Sequence, residues 1–126
     1  MELLLDTHVF LWWDAAAPQL GKSAAAAIRD AANTVFVSAA SVWEIAIKRQ
    51  LGRLSFPGSP AEAIGRNGFL PLPILPRHAE NAAALPALHA DPFDRMLVAQ
   101  ARFAGLTIVT ADRKLAAYSV PQLWAG

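Results

Sequence analysis

Cysteine is absent from the 126 residues, which removes disulfides and thiolate metal sites and fits a reducing cytoplasm. No run of 18 or more apolar residues is present, so no membrane span is expected. The opening MELLLDTHVFLWWD has no basic n-region and meets Asp6 too early for a secretory signal. Charge of one sign is also missing. Eleven Lys and Arg face ten Asp and Glu, so any contact with nucleic acid must come from a local patch rather than a global field. There is no glycine-rich phosphate loop, and Ser38, Ser41 and Ser119 lack the context of a nucleophile elbow. His8, His78 and His89 lack the close paired spacing of a zinc site and read as surface or packing residues. No internal repeat is visible.

What is there is an apolar, alanine-rich chain long enough to bury a core, read as a single domain over residues 1–126. Leu3 to Leu5 form a short buried strand stopped by Asp6-Thr7, with a helix from His8 to Asp14. A helix over residues 23–32 precedes the β-branched and aromatic strand Thr34 to Val37, which ends at Ser38. The next helix runs to Gln50 with Gly52 as its stop, and Ser59-Pro60 caps a short helix ending near Gly68. Leu70 to Ile74 holds two prolines and is confined to an edge strand or extended loop. Arg77 to Leu85 is helical. Asp91-Pro92 opens a helix to Ala104 with Gly105 beyond it, and Leu106 to Thr110 is a buried strand followed by a short helix. Strands alternate with helices, so the expected fold is α/β, with a mostly parallel central sheet flanked by helices and a site outside the carboxyl ends of the strands.

Four of the ten carboxylates fall where that rule puts a site. Asp6 directly follows the first strand, and Asp112 follows the strand ending at Thr110. Asp94 lies in the first turn of its helix and heads an apolar stripe of Leu97, Val98 and Ala101. Glu44 similarly heads a face with Ile47 and Leu51, diluted by Lys48. An ionised carboxylate on a core-facing stripe is costly unless a cation or strong donors compensate it. Several converging together point to a bound cation, and all-oxygen ligation points to magnesium or manganese.

Each acid also has a structural reading. Glu44 closes a capping box if Ser41 is the N-cap, whereas Ser38 as N-cap would place it deeper in the helix. Asp6 and Asp112 can cap the helices that follow them, and Asp91 reads as an N-cap alone. Trp12, Trp13 and Trp43 adjoin these positions and read as core or partner contacts before base-stacking platforms. Arg49, Arg53, Arg95, Arg102, Arg113 and Lys114 offer a local basic rim, most of it ordinary solvated charge.

The segments LLLDTHVFLWW, VSAASVWEIAIKRQLGRL and HADPFDRMLVAQARFAGLTIVTAD, with a closing strand around Val120 to Trp124, resemble the PIN domain along nearly the whole chain. DPFDRMLVAQA followed by TIVTAD is the specific part. The resemblance implies a pocket of four acids, Asp6, Glu44, Asp94 and Asp112, that binds one or two Mg2+ or Mn2+ ions and is catalytic. It places Thr110 at a small polar position of that pocket, and His8 where many relatives carry asparagine. Chains this short in the family are similar to VapC toxins. The expected activity is therefore metal-dependent hydrolysis of RNA by a cytoplasmic homodimer, silenced by a small antitoxin protein. In-line attack by water leaves a 5′-phosphate and a 3′-hydroxyl and does not need the 2′-hydroxyl. The RNA preference thus comes from the resemblance. Two other readings stand beside it. One is a PIN-like module that contacts RNA or protein without catalysis, which would carry a broken acidic set. The other is a phosphoacceptor receiver domain, which needs an aspartate that the strand ending at Ser38 does not offer.

Overall fold

The computed structural model describes all residues 1–126. Its elements are β1 (Glu2–Leu5), α1 (Thr7–Asp14), α2 (Lys22–Arg29), β2 (Thr34–Ser38), α3 (Ala39–Gln50), α4 (Pro60–Arg66) and β3 (Leu70–Leu72). They continue with α5 (Pro76–Ala84), α6 (Pro92–Ala104), β4 (Thr107–Thr110), α7 (Arg113–Ala116) and β5 (Gln122–Trp124). The five strands form one sheet in the order β3-β2-β1-β4-β5, and every adjacent pair is parallel. No helix is long and apolar enough to cross a membrane.

The central strand explains the layers. Leu3, Leu4 and Leu5 are all fully buried, as a parallel strand covered on both faces requires. Their side chains alternate. Leu3 and Leu5 pack with Val9, Phe10, Ile28, Ile45 and Phe69 on one face, and Leu4 packs with Leu97, Val98, Ala101 and Leu115 on the other. Pro71 sits in β3 at the sheet edge, where its missing N–H costs no ladder bond. Gly105 takes the left-handed conformation (φ 69°) that ends α6 and turns the chain into β4.

One helix end and one face differ from expectation. The second helix stops at Arg29 rather than Ala32, because the Asp30 carboxylate accepts the Ala32 N–H and pulls the chain into a turn. On α3 the buried residues are Ala40, Ser41, Glu44 and Ile45, while Leu51, assigned to the Glu44 face, is 60% exposed. Leu51 follows the last turn of α3, beyond the part that crosses the sheet.

The chain builds β1, β2 and β3 outward in one direction, then returns to place β4 and β5 on the opposite side of β1. The carboxyl ends of β1 and β4 therefore lie side by side at the topological switch point, where α/β sheets hold their ligands. Asp6 and Asp112 leave those two strand ends.

Candidate metal centre

Asp6 performs two tasks with two oxygens. Its Oδ1 caps α1 by accepting the Val9 N–H at 2.8 Å, and its Oδ2 accepts the Thr110 hydroxyl at 2.5 Å from the neighbouring strand end. Burial pushes this carboxyl above its ordinary pKa, against the two hydrogen bonds that favour the anion. Asp112 divides its labour in the same way. Oδ1 caps α7 through the Lys114 N–H at 2.8 Å, and Oδ2 lies 3.1 Å from His89 Nε2. Partial burial works to raise Asp112, but the Lys114 N–H and His89 outweigh it and the pKa falls. For both residues the cap and the candidate site coexist, because a carboxylate presents one oxygen to each.

Asp94 follows the N-cap Asp91, whose Oδ1 accepts the Phe93 and Asp94 N–H groups, so the structural role expected for Asp91 is met. The stripe headed by Asp94 is buried as expected at Leu97, Val98 and Ala101. The Asp94 carboxylate faces His89, with Oδ2 at 2.9 Å from Nε2. Burial first, then the negative charges of Asp91, Asp6 and Glu44, push the Asp94 pKa up to about 7, with His89 opposing them.

Glu44 lies in the middle of α3, which Ser38 caps by accepting the Ala40 N–H at 3.0 Å. The capping box with Ser41 does not form. Instead, Thr7 Oγ1 donates to Glu44 Oε1 at 2.6 Å, Ser41 Oγ lies 3.0 Å from Thr7 Oγ1, and Lys48 Nζ donates to Oε2 at 2.6 Å. Lys48, one helical turn from Glu44, is its counter-ion rather than a dilution of the face.

His89 corrects the sequence reading. It is neither a surface nor a packing residue, since its Nε2 bridges Asp94 and Asp112. The three residues each offer a ligand atom, all within 4.8 Å of one another. The Asp91 N–H points to His89 Nδ1 at 3.3 Å, which favours the tautomer with a proton on Nε2. That proton then serves both carboxylates. A divalent cation fits the donor chemistry here: two carboxylates converge with an imidazole whose Nε2 can ligate once it gives up its proton, and burial together with the neighbouring acids already raises Asp94.

Arg95 is neither a rim charge nor a solvated one. Its guanidinium donates to the carbonyls of Ala82, Ala83, Leu85, Pro86 and His89 and to the Tyr118 hydroxyl. It fixes the α5–α6 loop that presents His89 and adds nothing to a basic rim. Arg49 is likewise spent on the carbonyls of Phe56 and Gly58, and Arg102 on that of Ser119. Only Arg113 and Lys114 line a groove with Asp6 and Asp112.

A parallel α/β sheet with carboxylates gathered at its switch point defines the class: an acidic, cation-ready domain. The chain belongs to the PIN domain family, whose model matches residues 3–121. It is similar to Ribonuclease VapC22 of Mycobacterium tuberculosis, with 34% identity covering 95% of this chain and 94% of the relative. Among solved structures it is similar to VapBC2 from Rickettsia felis bound to a promoter DNA fragment (TM-score 0.71, 12% identity, 100% of both chains). It is also similar to a toxin–antitoxin complex from Klebsiella pneumoniae (TM-score 0.66, 16% identity, 96% of this chain and 95% of that one). FitAcB from Neisseria gonorrhoeae is a third (TM-score 0.61, 21% identity, 96% of each chain). These structural likenesses concern the fold.

Proposed function

We propose that this PIN-domain protein is a metal-dependent ribonuclease acting as the toxin of a toxin–antitoxin pair. The observation that carries the reading is the convergence of Asp94 and Asp112 on one point, with Asp6 and Glu44 near enough to raise the Asp94 pKa. A non-catalytic module has no use for that electrostatic cost, and the acidic set is complete. The similarity to a named ribonuclease supplies the substrate class.

Asp94 and Asp112 are the ligands whose geometry is ready, and Asp6 Oδ2 and Glu44 complete the acidic wall. A bound Mg2+ or Mn2+ would lower the pKa of water and offset charge on the phosphate. The chain's own contribution is placement. Thr110 holds Asp6 Oδ2 at the strand end, Thr7 and Lys48 hold both Glu44 oxygens, and the α6 N-cap holds Asp94. His89 Nε2 holds Asp94 and Asp112 together, and it would have to release them, or give up its own proton and join them, for a cation to be held there.

The test is cleavage of single-stranded RNA by the pure protein with magnesium or manganese, repeated in excess chelator. Cleavage that chelation abolishes is the expected result; undiminished cleavage in chelator would sink the metal mechanism.

The partner we propose is an antitoxin segment carrying an aromatic or aliphatic anchor and an arginine. A groove of about 410 Å³ lined by Trp12, Trp13, Ala17 and Leu20 fits the anchor. It shares Trp12 with the groove that holds Asp6 and Asp112, which an arginine can pair with bidentately. A complex with the antitoxin far from Asp6 and Asp94 would refute this. A homodimer is the assembly the resemblance implies, and the exposed Trp43 and Leu51 are apolar surface for it to cover. Sedimentation of the antitoxin-free protein as a monomer would remove that expectation.

A further inference from the structure

The groove beside the acidic cluster has a composition that the cation does not explain. Its volume is about 510 Å³, within the roughly 300–1,000 Å³ of small-molecule sites. Asp6 and Asp112 contribute carboxylates to it, α1 contributes His8 and Trp12, and the start of α7 contributes Arg113 and Lys114. The His8 and Trp12 rings are neighbours on α1, with centroids 6.5 Å apart and planes tilted by 54°. Trp12 is half-buried, so its position is set by packing while part of its ring remains open to the groove. Arg113 and Lys114 are exposed, and no carboxylate forms an ion pair with either.

An acidic ligand alone would be repelled by Asp6 and Asp112, and a purely apolar one would leave the two cations unused. The three chemistries together match one nucleotide unit: an aromatic wall for a base, cations for a phosphate, and carboxylates at the bond to be hydrolysed. A duplex keeps its bases stacked on one another and cannot present a face to Trp12. We propose that this groove is a nucleotide subsite for single-stranded RNA adjoining the scissile phosphate. Trp12 stacks on the base with His8 at its edge, and Arg113 and Lys114 hold the neighbouring phosphate. The proposal rests on the ribonuclease reading and specifies which strand geometry that site accepts.

The chain carries four tryptophans, so four indole N–H signals report separately on this groove and on the rest of the surface. The experiment titrates 15N-labelled Asp94→Asn protein, used as a trap, with a short single-stranded RNA in magnesium. In parallel, wild type, Arg113→Gln/Lys114→Gln, Trp12→Phe and Trp12→Leu are compared in steady-state cleavage, with melts to check folding. The Trp12 signal should move while the Trp43 signal, from a ring packed on Phe93 outside this groove, stays. KM should rise about tenfold for the Arg113→Gln/Lys114→Gln protein and for Trp12→Leu, with Trp12→Phe largely retaining affinity. Movement at Trp43 instead of Trp12, or an unchanged KM in the folded Arg113→Gln/Lys114→Gln protein, would overturn the subsite and leave the ribonuclease reading standing. Conversely, wild-type protein that cleaves no RNA with either metal would defeat the ribonuclease reading. The movement of Trp12 would then still decide whether RNA enters the groove.

Discussion

Glu44 and Asp94 occupy opposite sides of one acidic cluster and are treated in opposite ways. Both Glu44 oxygens are taken, one by the Thr7 hydroxyl and one by the Lys48 ammonium at 2.6 Å each. Asp94 has a single side-chain partner, His89, while burial first and then the neighbouring carboxylates push its pKa up to about 7. One acid is neutralised by the chain itself, and the other is left short of positive charge. The difference locates the unmet negative charge at Asp94. Glu44 acts more as a fixed wall whose charge Lys48 already offsets.

The largest effect that tests this contrast is on cleavage. Asp94→Asn keeps the shape of the side chain and loses one charge, and should lower the cleavage rate by about a hundredfold or more in single-turnover assays. Glu44→Gln should cost less, about tenfold, because its partners already screen it. It should lower stability by no more than about 0.5 kcal/mol, since the partly exposed Lys48 makes a modest pair. Equal losses in the two variants would erase the distinction between the sides.

The next effect is on pH. The folded-state pKa of Asp94 is raised to about 7 from 3.8, so the folded protein holds that proton over a range where the unfolded chain has lost it. Stability of the metal-free protein should therefore fall as pH rises from about 4 to about 7, then level off. Asp6 is shifted upward too and acts with the same sign, whereas Asp112, shifted down, acts only in acid. With solvent reaching the cluster, the Asp94 part is on the order of 1 kcal/mol. Urea titrations at pH 5 and pH 8 should show it in wild type and show less of it in Asp94→Asn. The smallest effect belongs to Lys48→Gln, which removes the internal counter-ion and should tighten manganese binding about threefold by calorimetry. Weaker binding would mean that Lys48 builds the site rather than competing with the metal.

The alternation of β-branched strands with capped helices was legible in the sequence because burial on both faces leaves a continuous apolar run, as in Leu3 to Leu5. The acids were legible for a related reason: Asp94 stands on a stripe that Leu97, Val98 and Ala101 bury, where charge needs compensation. The compensators were not. His89 reaches the cluster from a loop whose path is fixed by Arg95 binding five carbonyls, and no local spacing encodes such a tertiary staple. Thr7 and Lys48 became visible as partners of Glu44 only once Ser38, not Ser41, proved to be the cap that sets the phase of α3. The competition between capping and a site role that the sequence suggested for Asp6 and Asp112 eases in three dimensions, because each caps its helix through Oδ1 and turns Oδ2 to Thr110 or His89.

The central claim is that the acids form one cation site rather than a set of helix caps and ion pairs. It is tested most directly by the manganese response of thermal melts for wild type and Asp94→Asn. The account predicts that metal-free Asp94→Asn melts at or above the wild-type temperature at pH 8, relieved of repulsion. Manganese should then raise the melting temperature of wild type and leave the variant nearly unmoved. An Asp94→Asn protein that is destabilised without metal, yet gains as much from manganese as wild type, would contradict it.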